Sequence, residues 1–363
     1  MTTVHVVVPD GIDDPTRPSG GNTYGARVCC GLVGLGWTVR RHEAPGPWPD
    51  PDPPSRQALA AELGSLPDRS LVIVDGLVAS AVPDVLVPQA RRLRLIVLLH
   101  LPRGHDEAGG PDGAPERRDR TRRDEQAALR SVAAVIVPSR WAREWLVDAY
   151  DLDPHRITVV SPGVDGAPVT AAGSTGGRLI CVGPLTPTKG QDLLADALAM
   201  LLDLAWSCEF VGSLDIDPTF AADVRAQVAA AGLASRVEFQ GPLRATSLGD
   251  VYATGDLLVV PSRIETYGLV VTEALARAIP VVGANVGGLP EALGRAPRGR
   301  PGLLVPPNPA GLAEALRQWL TDAQLRSDLR AAAVVRREDL APWSATTSGV
   351  AGVLAAVQAQ AAG

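Results

Sequence analysis

Residues 257–291 read LLVVPSRIETYGLVVTEALARAIPVVGANVGGLPE. Leu257–Val260 is a short, continuous apolar run, the pattern of a strand buried on both faces of a parallel sheet. Pro261 ends it. A polar loop leads into a helical stretch, Leu269–Arg277, and Val281–Val282 opens another strand. Strand, loop, helix, strand is the repeating unit of a parallel sheet with crossover helices.

The unit recurs on both sides. Further strands are expected at Leu179–Val182, Cys208–Val211 and Val237–Gln240, with helices at Gln191–Leu202, Pro218–Ala231, Ser247–Thr254 and Ala310–Ala323. Upstream, Pro162–Gly177 (PGVDGAPVTAAGSTGG) is small, polar and Gly/Pro-rich, and reads as a linker. Before it the alternation runs again. Buried strands are expected at Val4–Val8, Leu71–Val74, Leu93–Leu99 and Ala133–Val137, and shorter ones at Val39–Arg41 and Ile157–Val160. A helix is expected from Ser19-Gly20-Gly21-Asn22 to about Leu35. Pro47–Pro54 reads as a surface loop. Glu116–Glu125 (ERRDRTRRDE) reads as a solvated helix start, or as a basic lid over an anionic acceptor. The expected fold is α/β, with two doubly wound Rossmann-like parallel-sheet domains, 1–162 and 178–342, joined by a linker over 163–177. In such sheets ligands sit at the carboxyl ends of strands, and a cleft between facing domains is the default site.

Composition narrows the function. The 363 residues carry 34 basic and 40 acidic side chains, a formal net charge of −6, which argues against nucleic acid as a partner. Cysteines 29, 30, 181 and 208 show neither metal spacing nor a disulfide framework. The N-terminal MTTVHVVVPDG lacks a charged region ahead of its apolar run, so no signal peptide is read there. No apolar stretch approaches the ~18 residues of a membrane span. The expected setting is the reducing cytoplasm. Oligomeric state is not readable. A single basic residue, Lys189, is lysine; all others are arginine. Either composition has drained lysine and left one by chance, or the site needs a compact ammonium.

Four stretches can carry chemistry. In the first, Glu265 precedes a helix start, and the amides of Thr266, Tyr267, Gly268 and Leu269 form an anion site at its N-terminus. Gly268 permits close approach of a ligand. Glu265 can accept from sugar hydroxyls, and Glu273, eight positions on, from a ribose; taken singly, each reads better as an ordinary capping or surface carboxylate, but the whole constellation does not. The second, Cys181–Gly190 (CVGPLTPTKG), holds Lys189 in a strand-to-helix loop where it can neutralise a diphosphate; the glycine spacing is not that of a P-loop. The third is the Gly20-Gly21 pair, a plain turn or a close approach to phosphate or sugar. The fourth is His100 at a strand end, either structural or facing a sugar hydroxyl. Asp215-Ile216-Asp217 is read as a chance match to a metal motif. Gly31, Gly34 and Gly36 end a helix rather than follow a strand, the wrong context for a dinucleotide fingerprint.

In this order the stretches resemble the family 4 retaining glycosyltransferases of GT-B fold, over essentially the whole chain. Glu265–Glu273 is similar to the family's E-x7-E signature, Gly287-Gly288-Leu289-Pro290-Glu291 to its GG-x-P-E ending, and Val182-Gly183 through Lys189-Gly190 to its V-G-R-L-x-x-x-K-G loop. Ser161–Asp165 resembles the P-N-G-V-D segment before the linker; Val137-Pro138-Ser139 and His100 fall at the family's strand-end serine and histidine. The resemblance implies that Glu265 holds the donor sugar, the amides of Tyr267–Leu269 its phosphates and Glu273 its ribose. Lys189 would neutralise the leaving diphosphate, Gly20 and Gly21 would line the donor–acceptor junction, and the helix from Trp343 to about 363 would return to the N-terminal domain. One departure stands out: Pro184 occupies the place of the loop's arginine, with Arg263 and Arg103 as candidate substitutes. The implied activity is retaining, metal-independent transfer from a nucleotide diphosphate sugar to an acceptor hydroxyl, with no cofactor. The acceptor would be selected by the loops Asp10–Ser19 and Pro102–Pro115. An epimerase or phosphorylase on the same fold, or a non-catalytic nucleotide-sugar-binding protein, are the alternatives.

Overall fold

The structure is a computed structural model that describes residues 2–12, 14, 19–106, 115–171, 173, 175–297 and 299–360. Much of the two expected acceptor loops, at 13, 15–18 and 107–114, therefore lies outside the described residues, as does the tail 361–363. The chain packs into two compact units: residues 1–13, 21–163 and 343–363, and residues 14–20 and 164–342.

The first unit is built on strands β1 (Thr3–Pro9), β2 (Thr38–Ala44), β3 (Leu71–Asp75), β4 (Arg94–Leu98), β5 (Ala134–Val137) and β6 (Ile157–Val159). They form one six-stranded sheet in the order β2-β1-β3-β4-β5-β6, parallel throughout. Alternation along β1 sorts its side chains between two faces. Val4, Val6 and Val8 pack against Tyr24, Val28 and Leu32 of helix Gly20–Gly34 and against Val350, Val353 and Leu354 of the terminal helix Trp343–Ala359. Val7, with Val72, Val74 and Val97, faces Leu59 and Leu63 of helix Pro53–Ser65, Leu129 of helix Pro115–Ser131 and Leu146 of helix Arg140–Tyr150. Each such aliphatic side chain contributes about 1.5–3 kcal/mol on full burial.

The second unit repeats the plan with β7 (Arg178–Val182), β8 (Ser207–Val211), β9 (Val237–Gly241), β10 (Leu257–Val260), β11 (Val281–Ala284) and β12 (Gly302–Val305), ordered β12-β11-β10-β7-β8-β9 and again all parallel. The strand order reverses between β7 and β10. Loops leaving the carboxyl ends of strands at such a reversal diverge, and the crevice they leave is where open sheets bind ligands. Here those loops are 183–190 and 261–268.

Several local expectations give way to the structure. Pro47–Pro54 is loop only as far as Asp52, whose carboxylate accepts from the Ser55 amide and caps a helix with prolines in its first turn. The helix expected over Ala310–Ala323 runs Pro309–Thr321; Asp322 then caps a separate helix, Ala323–Arg336. The helix expected to reach Leu202 stops at Ala199. Edge strand β12 escapes the sequence reading because it is four residues long, mostly half-exposed and flanked by prolines. The described residues of the linker carry no helix or strand, yet they are pinned: Thr170 is buried, its amide donating to the Arg277 carbonyl and its hydroxyl to the Tyr252 carbonyl. The charged run 116–125 does start a helix with exposed arginines, but Glu125 is fully buried rather than solvated.

Candidate active site

At the reversal point of the second sheet, the loop after β7 carries Lys189 and the loop after β10 carries Glu265. Lys189 Nζ donates to Glu265 Oε2 at 2.7 Å. The Glu265 side chain is 10% exposed and that of Lys189 30%, so the pair is half-desolvated and open on one side. Three features hold the loops at this distance. Gly190, with φ +70°, lies where a Cβ would be 2.4 Å from the Pro261 carbonyl oxygen, so only glycine lets the loops abut. The amide of Arg263 donates to the Thr188 carbonyl at 2.9 Å. The Arg263 guanidinium donates to the Pro187 carbonyl and grips both Asp192 oxygens, at 2.7 and 2.5 Å.

The Gly287-Gly288 pair braces the same loop from β11. The Gly288 amide donates to the Glu265 carbonyl at 2.8 Å, and a Cβ on Gly287, at φ +54°, would fall 1.8 Å from that carbonyl oxygen. Directly after Glu265, Thr266, Tyr267 and Gly268 lead into helix Leu269–Ala276, capped by Gly268. The amides of Leu269 and Val270 have no acceptor within their own helix and lie as donors beside the positive end of the dipole, whereas the Val271 amide already donates to the Gly268 carbonyl at 3.0 Å. Burial pushes the Tyr267 phenol up to about 12, so it stays neutral. Just over one turn in, Glu273 Oε2 accepts from the Tyr252 hydroxyl at 2.9 Å. Burial raises its carboxyl above the usual range, against the lowering effects of Tyr252 and Arg277. Behind Lys189, burial pushes the Cys181 thiol up to about 12, which removes it as a nucleophile.

In the first unit, His100 follows β4. Its Nε2 has no hydrogen-bond partner although the atom is buried, and it stands 3.5 Å from Asp75 Oδ2. Asp75 ends β3, its other oxygen accepting from the Leu77 amide. Gly21, in the first turn of the helix that Gly20 opens, backs the imidazole: a Cβ there would lie 3.0 Å from His100 Cδ2. The Tyr24 ring meets His100 edge-on at 5.4 Å. The sequence-predicted residues thus gather as Lys189, Glu265 and the 266–269 amides with Glu273 in the second unit, and as His100 with Gly21 in the first.

Sequence reasoning missed Asp75, Tyr252, Glu125 and Gln191. Gln191 is buried, and its amide donates to the carbonyls of Gly183 and Pro184 at 3.4 and 3.0 Å, fixing the lysine loop from below. The signal for Asp75 was present, an acid closing an all-apolar run before glycine. Among the described residues no group of three or more His, Cys, Asp or Glu side chains is arranged to hold a metal ion. Likewise, no single helix there is long and apolar enough to cross a membrane.

Comparison with known proteins now decides the family. Residues 3–167 match the family Glycosyltransferase Family 4, and residues 169–336 match Glycosyl transferases group 1. The chain belongs to the family 4 glycosyltransferases. The D-inositol 3-phosphate glycosyltransferase of Jonesia denitrificans is 34% identical over 61% of this chain and 57% of its own length. That of Frankia alni is 36% identical over 62% and 59%. The chain thus spans under two thirds of the length of these curated relatives. Among solved structures, sucrose-phosphate synthase from Thermosynechococcus elongatus has a TM-score of 0.81 at 21% identity, covering 99% of this chain and all of that one. Anabaena HepE in complex with UDP-glucose has 0.75 at 18%, covering 98% and 100%. At such identities the likeness is one of fold, and that fold is GT-B. Against this family pattern Pro184 remains a departure, and neither substitute cation stands free for it. Arg263 is engaged by Asp192, and Arg103 belongs to the first unit, where its guanidinium lies 3.8 Å from Asp50.

Proposed function

We propose that the protein transfers a sugar, with retention and without a metal ion, from a nucleotide diphosphate sugar to an acceptor hydroxyl. The observation that carries this reading is the Lys189–Glu265 pair, 2.7 Å apart at the sheet's reversal point and continuous with the first-turn amides of helix Leu269–Ala276. An ammonium has three donors, so Lys189 can keep Glu265 and take a phosphate oxygen as well. Its existing partner holds it in place before the donor arrives, so little reorganisation accompanies charge development.

In the proposed reaction the bond from the anomeric carbon to the diphosphate breaks, and its electron pair leaves with the phosphate. The acceptor oxygen forms its bond on the same face and gives its proton to the departing phosphate oxygen. Developing negative charge is met by Lys189 and by the amides of Thr266, Tyr267, Gly268 and Leu269. Glu265 takes the sugar's hydroxyls. Glu273, with one oxygen anchored by Tyr252, offers the other to the ribose. In the first unit, His100, with Gly21 against its ring, is assigned to a substrate hydroxyl. On this reading residues 1–162 with the terminal helix serve the acceptor and 178–342 the donor. Cys30, Cys181 and Cys208 form no disulfide, which suits a reducing cytoplasm.

Calorimetry in EDTA tests the donor half, with UDP, GDP and ADP titrated into wild type and Lys189→Ala. One nucleotide is expected to bind without metal. Its affinity should fall at least tenfold in the variant, and turnover by on the order of 10²–10³. Binding indifferent to Lys189, or binding only with added divalent metal, overturns the reading. Because Anabaena HepE was captured with UDP-glucose, that donor is the first to try. D-inositol 3-phosphate, named for the sequence relatives, is the first acceptor.

A further inference from the structure

Glu125 is a fully buried carboxylate with no part in the chemistry just described, and its surroundings are built around it. Oε1 accepts from the Ser80 hydroxyl at 2.7 Å and from the Arg103 amide at 3.0 Å; Oε2 accepts from the Gly104 amide at 3.0 Å and from the Tyr150 hydroxyl at 2.5 Å. A buried carboxylate is tolerated only when its lone pairs are met in this way. The donors are not scattered. Ser80 ends the short helix Gly76–Ala79 that Asp75 caps, so it belongs to the loop after β3. Arg103 and Gly104 begin helix Arg103–Asp106, so they belong to the loop after β4 that carries His100. The two loops already touch: a Cβ on Gly76 would lie 2.9 Å from Leu99 Cα.

We infer that Glu125 is a positioning residue, which clamps the loops after β3 and β4 together from behind and so sets the separation of Asp75 from His100. The clamp acts at a distance along each loop: Ser80 lies five positions after Asp75, and Arg103 three positions after His100. Its direction matters. Each oxygen takes one backbone amide of the β4 loop and one hydroxyl, so a glutamine in either orientation turns its NH2 toward one amide and one hydroxyl. The Ser80 or Tyr150 hydroxyl can rotate to accept, but a backbone amide cannot, so glutamine loses one of the two amide bonds that hold the β4 loop. What the Asp75–His100 pair does to a substrate rests on the proposed transferase reading; that Glu125 spaces the pair does not.

The test therefore needs no substrate. Carbon-labelled histidine in the full chain reports the imidazole C–H resonances of His100, assigned by His100→Gln. In Glu125→Gln the His100 resonances are expected to move, while those of exposed His155 stay. Ser80→Ala removes the bond to the β3 loop alone and is expected to move His100 less, which keeps the test available if Glu125→Gln does not fold. Leu63→Ala weakens the same unit's core without touching the clamp, and its His100 resonances should coincide with wild type. A Glu125→Gln protein, or failing that a Ser80→Ala protein, whose His100 resonances superimpose on wild type overturns the inference, whatever its melting temperature. On the donor selected by calorimetry, turnover in Glu125→Gln should drop by on the order of tenfold or more, since ångström-scale misplacement is costly. Moved resonances in a chain that turns over no nucleotide sugar would sink the transferase reading and leave the clamp standing.

Discussion

Lys189 gathers its significance from what surrounds it. It is the chain's single lysine, and its ammonium lies against a nearly buried carboxylate whose loop is itself fixed by Gly287 and Gly288. That bracing makes Gly287 the most sensitive non-contacting residue near the pair. In Gly287→Ala the new methyl must enter the Glu265 carbonyl, and the residue keeps a backbone conformation that L side chains disfavour. Stability should fall by about 1–3 kcal/mol from the strained backbone alone. Nucleotide affinity should drop with it, because Glu265 can no longer hold its place. Thermal unfolding and calorimetry on the same sample check both. The same residues show what was legible beforehand. Lys189, Glu265 and the Gly287-Gly288 pair announce themselves through spacing and rarity. Glu125 does not, since an acid is recognisable as buried only once the chain around it has folded. Thr121, Glu125, Ala128 and Leu129 do share the buried stripe of one helix. The arginines crowded around Glu125 in sequence concealed that.

At the level of elements, strands and crossover helices were readable because parallel sheets bury their strands on both faces, which leaves runs such as LVIV and LLVV. Ends were not, because caps decide them: Asp52 and Asp322 each start a helix where apolar patterning showed only a loop or a continuation. Buried histidines tie two elements to pH. His5 on β1 meets His42 on β2 at 2.8 Å, and His42 in turn meets Glu62 of helix Pro53–Ser65. His105 sits edge-on to Trp141 and Trp145, at 4.9 and 5.4 Å. Burial holds both the His5 and the His105 imidazoles below the ordinary 6.5. The unfolded chain therefore takes up protons first as pH falls through 6.5. Stability should be full above that pH and decline below it. Denaturation midpoints at pH 7.5, 6.5 and 5.5 measure the decline, and His105→Phe, which keeps a ring between the tryptophans, should flatten part of it. A midpoint that rises on acidification would contradict the assignment.

The whole chain is two sheets of the same handed plan with different strand orders, and the first depends on sequence from the far end. Val350, Val353, Leu354 and Val357 of the terminal helix share one core with helix Gly20–Gly34 on the same face of the first sheet, the terminal helix lying beside β5. The second unit has no such debt: its two cores draw only on residues between Leu179 and Leu340. A fragment of residues 164–342 should therefore unfold cooperatively by itself. A fragment of residues 1–163 should bind an apolar dye and lose it when helix 343–360 is supplied as a peptide. Dye binding unaffected by the peptide would show that the helix is dispensable for that face. The one lysine also has a use at this scale. A protease specific for lysine has a single place to cut, the Lys189–Gly190 bond, and an amine-acylating reagent has a single side chain to modify. Both are obstructed by the ion pair with Glu265 and by Gly190's seat against Pro261. Cleavage into two pieces, or an acyl group located on Lys189, is thus a footprint of whether that loop is open, closed or occupied, read by mass without mutating a residue.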